Sequence, residues 1–279
     1  MAYDPLKELK RVTDYYNGDP LQKRFSALVT GETGAGKTFL LSTARFPIHI
    51  DSFDPGGSLC LRPWIRCKDN PTGQIVVDTS FEDEDPFKPK AYAAWKKSTE
   101  IRLQTGYFET FGTYCIDSLS TLADAVINDV MGSRSGEVPM RNKDYNPQKV
   151  AIVNYIRKLM NLPCDFIITG HLRRNDDIIS IDKSSGIINK STEYRLHVTG
   201  QAVITIPLLF TEIYVIKGKG NPPRREMLTD SLGEYIARSR LKTNGKLEAM
   251  EKPDIKTLLK KAGFSHEDKP RLPKEEEKK

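Results

Sequence analysis

The densest chemistry in this chain lies in eight consecutive residues, Gly31-Glu32-Thr33-Gly34-Ala35-Gly36-Lys37-Thr38. Glycines at the first, fourth and sixth positions let backbone N–H groups close on an anion where side chains would stand in the way. The lysine and hydroxyl that follow add a cation and a metal-ligating oxygen. An apolar segment, Phe25-Ser26-Ala27-Leu28-Val29-Thr30, runs before the octet, and a helical pattern from Lys37 to about Ala44 runs after it. A strand, turn and helix in this order aim the turn's N–H groups and the positive end of the helix at one point. The expected ligand is a nucleotide. The eight residues cradle its phosphates, Lys37 reaches the β- and γ-phosphates of ATP, and the Thr38 hydroxyl ligates Mg²⁺.

Such a metal needs a carboxylate from elsewhere in the chain. Thr113-Tyr114-Cys115-Ile116-Asp117 is an apolar run that ends in an acid, followed by Ser118 and a helical stretch from Leu119 to about Val130. Asp117 is therefore the expected second metal ligand. Asp51 and Asp54 stand at the end of another run, Ile48-His49-Ile50, just ahead of Pro55-Gly56-Gly57. Either can cap that turn. Phe166-Ile167-Ile168-Thr169-Gly170-His171 is a further apolar run that finishes in polar groups.

Apolar strands alternating with helical patterns over residues 25–171 call for βα units and an α/β fold with a mostly parallel central sheet flanked by helices. An amphipathic helix precedes them, with Leu6, Leu9, Val12 and Tyr16 at helical spacing, and Asn17-Gly18-Asp19-Pro20 closes it. Helices are also expected over residues 88–103 and 149–161, with a polar loop at 131–148. After His171 the pattern becomes β-rich, with strands at 178–181, 194–198, 202–206, 211–217 and 226–229 read as C-terminal β-hairpins extending the sheet. Pro253-Asp254 opens a last helix with Ile255, Leu258 and Leu259 on one face and Gly263 as its C-cap. The expected organisation is an N-terminal helix (1–20), an α/β core with its β extension (21–246), a C-terminal helix (247–266) and a disordered charged tail (267–279).

With 279 residues, 38% hydrophobic and 29% charged, the chain has the size and composition of one main globular domain with appendages. No apolar run approaches the roughly 20 residues that span a bilayer, and Met1-Ala2-Tyr3-Asp4-Pro5 has no signal-peptide character. A cytoplasmic protein with no membrane partner is expected. Cys60, Cys67, Cys115 and Cys164 are scattered without a C-x-x-C pair, which points to reduced thiols rather than a zinc ribbon. The net charge of +6 is unevenly spread: residues 1–216 hold 26 basic and 26 acidic groups, whereas residues 217–246 hold 8 and 3. Basicity concentrated in this way is the footprint of a polyanion. Lys217, Lys219, Arg224 and Arg225 are expected to meet a nucleic-acid backbone.

The octet, the segment Asp51-Ser52-Phe53-Asp54-Pro55-Gly56-Gly57, the segment Tyr114-Cys115-Ile116-Asp117-Ser118-Leu119-Ser120 and Phe166–His171 together resemble the RecA-like P-loop ATPases. Within that group the chain looks most like phage-type AAA-domain proteins of single-strand annealing and recombination. The resemblance covers roughly residues 25–262. It implies that Asp54, or else Asp51, activates the attacking water, and that His171 senses the γ-phosphate. It also implies that Arg238 or Arg240 reaches a neighbouring subunit's nucleotide as an arginine finger, with Arg238 preferred. Two loops then bind single-stranded DNA: one at 131–148 with Arg134, Arg141, Lys143 and Tyr145, and one at 172–200 with Arg173, Arg174, Lys183, Lys190, Tyr194 and Arg195. A homo-oligomer, ring or filament, and a single-strand-binding protein are the implied partners.

Three functions remain open on the residues: a Mg-ATP-hydrolysing DNA-binding protein, a nucleotide-gated module that binds without hydrolysis, and a P-loop small-molecule kinase. No short arginine-rich lid motif lies between the octet and Asp117 to favour the kinase.

Overall fold

A computed structural model of the chain describes residues 4–18, 24–181, 188–219, 224–244 and 246–273. Lys183 and residues 274–279 of the expected tail lie outside the described residues.

The elements that position the octet come first. Strand β1 (Ser26–Gly31) is buried along nearly its whole length, and the short helix α2 (Lys37–Leu41) follows the glycine-rich turn. Strands β2 (Ile48–Ser52), β3 (Ile75–Asp78), β4 (Thr113–Asp117) and β5 (Asp165–Ile181) supply the rest of the first half of the sheet. Helix α1 (Pro5–Gly18) precedes them and buries no residue. Helices α3 (Ala91–Gln104), α4 (Leu119–Met131) and α5 (Asn142–Leu159) make the crossovers. Beyond β5 the chain forms β6 (Ile188–Leu196), α6 (Ala202–Leu209), β7 (Glu212–Lys219), β8 (Arg224–Leu228), β9 (Arg238–Ser239), β10 (Met250–Glu251) and α7 (Ile255–Ala262).

The strand order is β10-β8-β7-β1-β5-β4-β2-β3. From β7 to β3 every pairing is parallel, while β8 and β10 are antiparallel additions at one edge. The expected α/β fold with a mostly parallel sheet is what forms. Strand β5 lies between β1 and β4, so the carboxyl ends of the octet strand, the Asp117 strand and the His171 strand stand side by side. That edge is where open α/β sheets hold ligands.

Alternation along the strands explains the two cores. Leu28, Ile116, Phe166 and Ile168 face α3, α4, α5 and α6, whereas Ala27, Val29, Ile167 and Ile216 face α2 and α7. Strands buried on both faces read as continuous apolar runs. At the opposite edge of the sheet Asp165 accepts from Phe25 N at 2.9 Å and from Arg45 Nε at 2.6 Å, tying the start of β5 to β1.

Several expectations change. Helix α5 starts at Asn142, seven residues before the expected Lys149, with Pro147 inside it. The polar first turn and its proline read as loop, but the Asp144 carboxylate accepts from Arg141 N at 2.8 Å and from Arg134, which stabilises the helix start. Residues 202–206, a β-branched run, are helical rather than a strand, because Ala202 and Ile206 pack together into the core at helical spacing. The expected second loop, 172–200, is instead largely the β5–β6 hairpin, paired from Leu172–Leu196 to Ile181–Ile188. Residues 267–273, where a disordered tail is expected to begin, are bonded along the body. Asp268 accepts from Phe46 N at 2.7 Å, Lys269 N donates to Phe46 O at 2.8 Å, and Leu272 N donates to Gln74 Oε1 at 2.9 Å. Helix α7 forms as expected, capped by Asp254 accepting from Thr257 N and closed by Gly263 at φ 80°.

No helix among the described residues is long and apolar enough to cross a membrane.

Candidate functional site

Residues 31–38 form a turn that needs its glycines. Gly34 and Gly36 take φ values of 77° and 104°, a region side chains disfavour. Gly31 lies so close to β7 that a Cβ would stand 2.7 Å from Ile216 O. Thr33, Gly34, Gly36, Lys37 and Thr38 line a cleft of about 620 Å³ that Asp54, Gly57 and His171 also border. Ala35 turns inward to the core beneath α2, and Glu32 contributes its carbonyl.

Lys37 is buried, and its Nζ donates to Gly31 O and Glu32 O at 3.0 Å each, with His171 Nδ1 at 3.3 Å. An ammonium has only donors, so Nδ1 of His171 must be the acceptor. The imidazole proton then sits on Nε2 and is donated to Asp54 Oδ2 at 3.0 Å. Burial lowers the Lys37 amine from its ordinary value, against the pull of Asp117 and Asp54.

Thr38 and Asp117 meet as a metal pair requires: Thr38 Oγ1 donates to Asp117 Oδ2 at 2.6 Å. The other Asp117 oxygen accepts from Thr169 on β5. Burial lifts the Asp117 carboxyl above its usual range, with the Thr169 and Thr38 hydroxyls working the other way. A hydroxyl and a carboxylate leave most of an octahedral shell to water and phosphate, which fits Mg²⁺. No cluster of three His, Cys, Asp or Glu able to cage a metal occurs among the described residues.

Asp54 sits on the turn after β2. Glu82 anchors that turn by accepting from Ser52 Oγ at 2.6 Å and from Gly56 N at 3.0 Å. Asp54 Oδ1 accepts from Ser118 Oγ at 2.9 Å and from Thr121, while Oδ2 faces His171. Burial alone would raise this carboxyl, but the donors from His171, Thr121 and Ser118 outweigh it and hold the pKa below the ordinary value. Asp51, the alternative base, is fully buried and points away from the cleft. It accepts from Trp95 Nε1 at 2.8 Å, Tyr114 OH at 2.6 Å, Arg102 at 2.7 Å and His49 Nε2 at 2.9 Å. A carboxylate so filled has no room for a reacting water, so Asp51 does not face one.

The arginines divide. Arg238 Nη2 donates to Phe210 O at 2.6 Å and Pro207 O at 3.2 Å, capping the end of α6, so the preferred finger is committed to its own fold. Arg240 is exposed, and its backbone N is held by Glu212 at 2.9 Å; among the described residues its guanidinium makes no ion pair. Arg134 pairs with Asp144 at 2.7 Å, and Arg174 with Asp176 at 2.9 Å, so both are engaged within the fold. Arg141 and Lys143 are exposed at the start of α5. Arg173 shares a surface hollow with Tyr145 and Arg195, bringing together parts of both expected DNA-binding loops. Lys217 stands 4.0 Å over the Tyr235 ring, which stacks on Tyr194 at 4.5 Å. Lys219 and Arg224 face each other across the β7–β8 register, where Arg224 is exposed. Arg225 does not share that outward surface: it borders the octet cleft.

Residues missed from the sequence carry the supporting bonds. Thr169 precedes His171 by two positions and so shares its side of β5. Ser118, Ser120 and Thr121 open α4, where Ser120 Oγ accepts from His171 N at 3.0 Å. Their spacing after Asp117 was the available signal. Glu82, in the irregular stretch before α3, carries no such signal.

No family model matches the sequence, and no curated protein matches it. Among solved structures, the chain is similar to the flagellar accessory protein FlaH from Methanocaldococcus jannaschii at 15% identity, covering 75% of this chain and 82% of that one, with a TM-score of 0.38.

Proposed function

We propose that the chain is a RecA-like P-loop ATPase that binds Mg-ATP at Gly31–Thr38 and hydrolyses it, acting on single-stranded DNA in phage-type recombination, annealing or replication. The observation that carries this reading is the meeting of Lys37, Thr38, Asp117, Asp54 and His171, delivered by different βα units, at one cleft.

ATP's phosphates lie against the N–H groups of the turn, and the buried Lys37 is a fixed cation beside them. Mg²⁺ held by Thr38 and Asp117 would offset the phosphate charge that develops during transfer. Asp54 stays ionised at neutral pH and orients the attacking water by accepting its hydrogen bond. His171 links that carboxylate to Lys37 and stands at the root of the β5–β6 hairpin, so a change in phosphate charge has a direct route to the hairpin. Single-stranded DNA follows Arg141, Lys143 and Arg173, with Tyr145 as a stacking face. Arg240 acts across the boundary of a homo-oligomer, and a single-strand-binding protein is a further partner.

The test is phosphate release from Mg-ATP against protein concentration, with and without a single-stranded oligonucleotide. A rate that rises faster than linearly and is stimulated by DNA is expected. A linear, DNA-insensitive rate contradicts the oligomer and DNA assignments. A second reading, a nucleotide-gated module without hydrolysis, draws on the Asp54 oxygens both being occupied by donors; it requires tight binding with no turnover under any of these conditions.

A further inference from the structure

Strand β1 ends at Gly31 opposite Ile216, but β7 continues to Lys219 and turns back as β8. The hairpin therefore overhangs the octet turn by three residues, roughly 10 Å of strand. Arg225 lies in the overhang, opposite Gly218, and its side chain reaches down onto the turn. A Cβ on Gly36 would stand 2.8 Å from Arg225 Nε and 3.0 Å from Cζ. The guanidinium carbon is also 5.7 Å from the centre of the Phe39 ring, which is itself edge-on to Trp64 at 5.8 Å. Among the described residues no carboxylate lies within ion-pair distance of Arg225. An arginine fork without a carboxylate, held over a glycine turn of the kind that takes an anion on its N–H groups, is matched to phosphate oxygens.

We propose that Arg225 is a phosphate ligand of the same chain's bound nucleotide, closing the cleft from the β7–β8 hairpin, and is not a contact to nucleic acid. The inference rests on the nucleotide reading of the Gly31–Thr38 turn and adds to it a second cation on the border of the same cleft as Lys37. Gly36 gains a second reason to be glycine: any side chain there would displace the guanidinium. The ligand class is a nucleoside di- or triphosphate, because a nucleoside alone offers Arg225 no charge.

The experiment titrates the full chain with a fluorescent ATP analogue in Mg²⁺ and, separately, with a labelled single-stranded oligonucleotide. Wild type, Arg225→Ala, Arg225→Gln and Arg225→Lys are compared. Loss of one charge-assisted contact should weaken nucleotide binding about tenfold or more in the Ala and Gln variants, with Lys recovering part of it. Oligonucleotide affinity should stay within about twofold, by the same free-energy scale. Two variants of different length guard against a packing effect, and the exposed position leaves the fold intact. Equal nucleotide affinity in wild type and both neutral variants overturns the inference and leaves the nucleotide site standing. Weakening of oligonucleotide binding alone assigns Arg225 to DNA and also overturns it. If the wild type itself binds no nucleotide, the reading of the turn fails and the inference with it.

Discussion

His171 Nε2 donates to Asp54 Oδ2 at 3.0 Å while the other ring nitrogen accepts from Lys37, so one imidazole ties the cation of the cleft to its carboxylate. The bond is between strand β5 and the turn after β2, two segments with no backbone pairing to each other.

Removing that link should separate binding from turnover. His171→Ala is expected to keep Mg-ATP affinity within about threefold, since the turn and Lys37 remain, yet to lower turnover about a hundredfold as Asp54 loses its orientation. Parallel binding titrations and single-turnover rates check this. A matched loss of affinity would instead make His171 part of the phosphate cradle.

Asp117 gives a pH dependence with a definite sign. Burial holds its folded-state pKa above the ordinary carboxylate value, so it takes up a proton at higher pH than an ordinary carboxylate, and that proton competes with a metal. Mg²⁺-dependent nucleotide affinity should therefore fall on acidification, and begin to fall at higher pH than for an ordinary carboxylate. Asp117→Asn should abolish the Mg²⁺-dependent part and its pH slope, measured by titrations with and without the metal.

Asp51 makes the contrary case, a buried charge that serves the fold. Burial pushes its pKa up, but the donors from His49, Arg102 and Tyr114 more than reverse this and hold it below the ordinary value. Stability from Asp51 is thus present above the unfolded-state pKa and lost as pH falls through the folded-state one. Asp51→Ala leaves Arg102 half-paired with Asp78 alone, and should cost about 3 kcal/mol and about 6–12 °C in Tm. Thermal melts check this, and nucleotide affinity of the folded fraction should not change.

Arg238 and Arg240 should separate in the same way. Arg238→Ala strips the cap from the Pro207 and Phe210 carbonyls and is expected to destabilise by about 1–3 kcal/mol. Arg240→Ala should leave Tm unchanged and remove the concentration-dependent part of ATP turnover. If Arg240→Ala turns over ATP like wild type at every concentration, the trans role fails.

The strands of the parallel sheet are legible because burial on both faces writes continuous apolar runs, as in Leu28-Val29 and Ile167-Ile168, whereas their order is not written in those runs. The octet, Asp117 and His171 were legible because each stands at the end of such a run. Arg225 was not: its charge placed it with the surface cations Lys217 and Arg224, and only the hairpin's overhang of Gly36 separates them. Arg238 was misjudged for a related reason, since sequence shows a cation but not the carbonyls of α6 that occupy it. The start of α5 was hidden by Pro147 and a polar first turn, whose stability comes from Asp144 and Arg134 rather than from apolar periodicity.

The most direct test of the central claim is the rate of phosphate release from Mg-ATP by the full chain beside its Lys37→Ala variant. Measurable turnover in the wild type, reduced at least about a hundredfold in Lys37→Ala with the fold intact, is the expected result. Equal rates in the two proteins, or nucleotide bound by the wild type and never hydrolysed with or without single-stranded DNA, would contradict it.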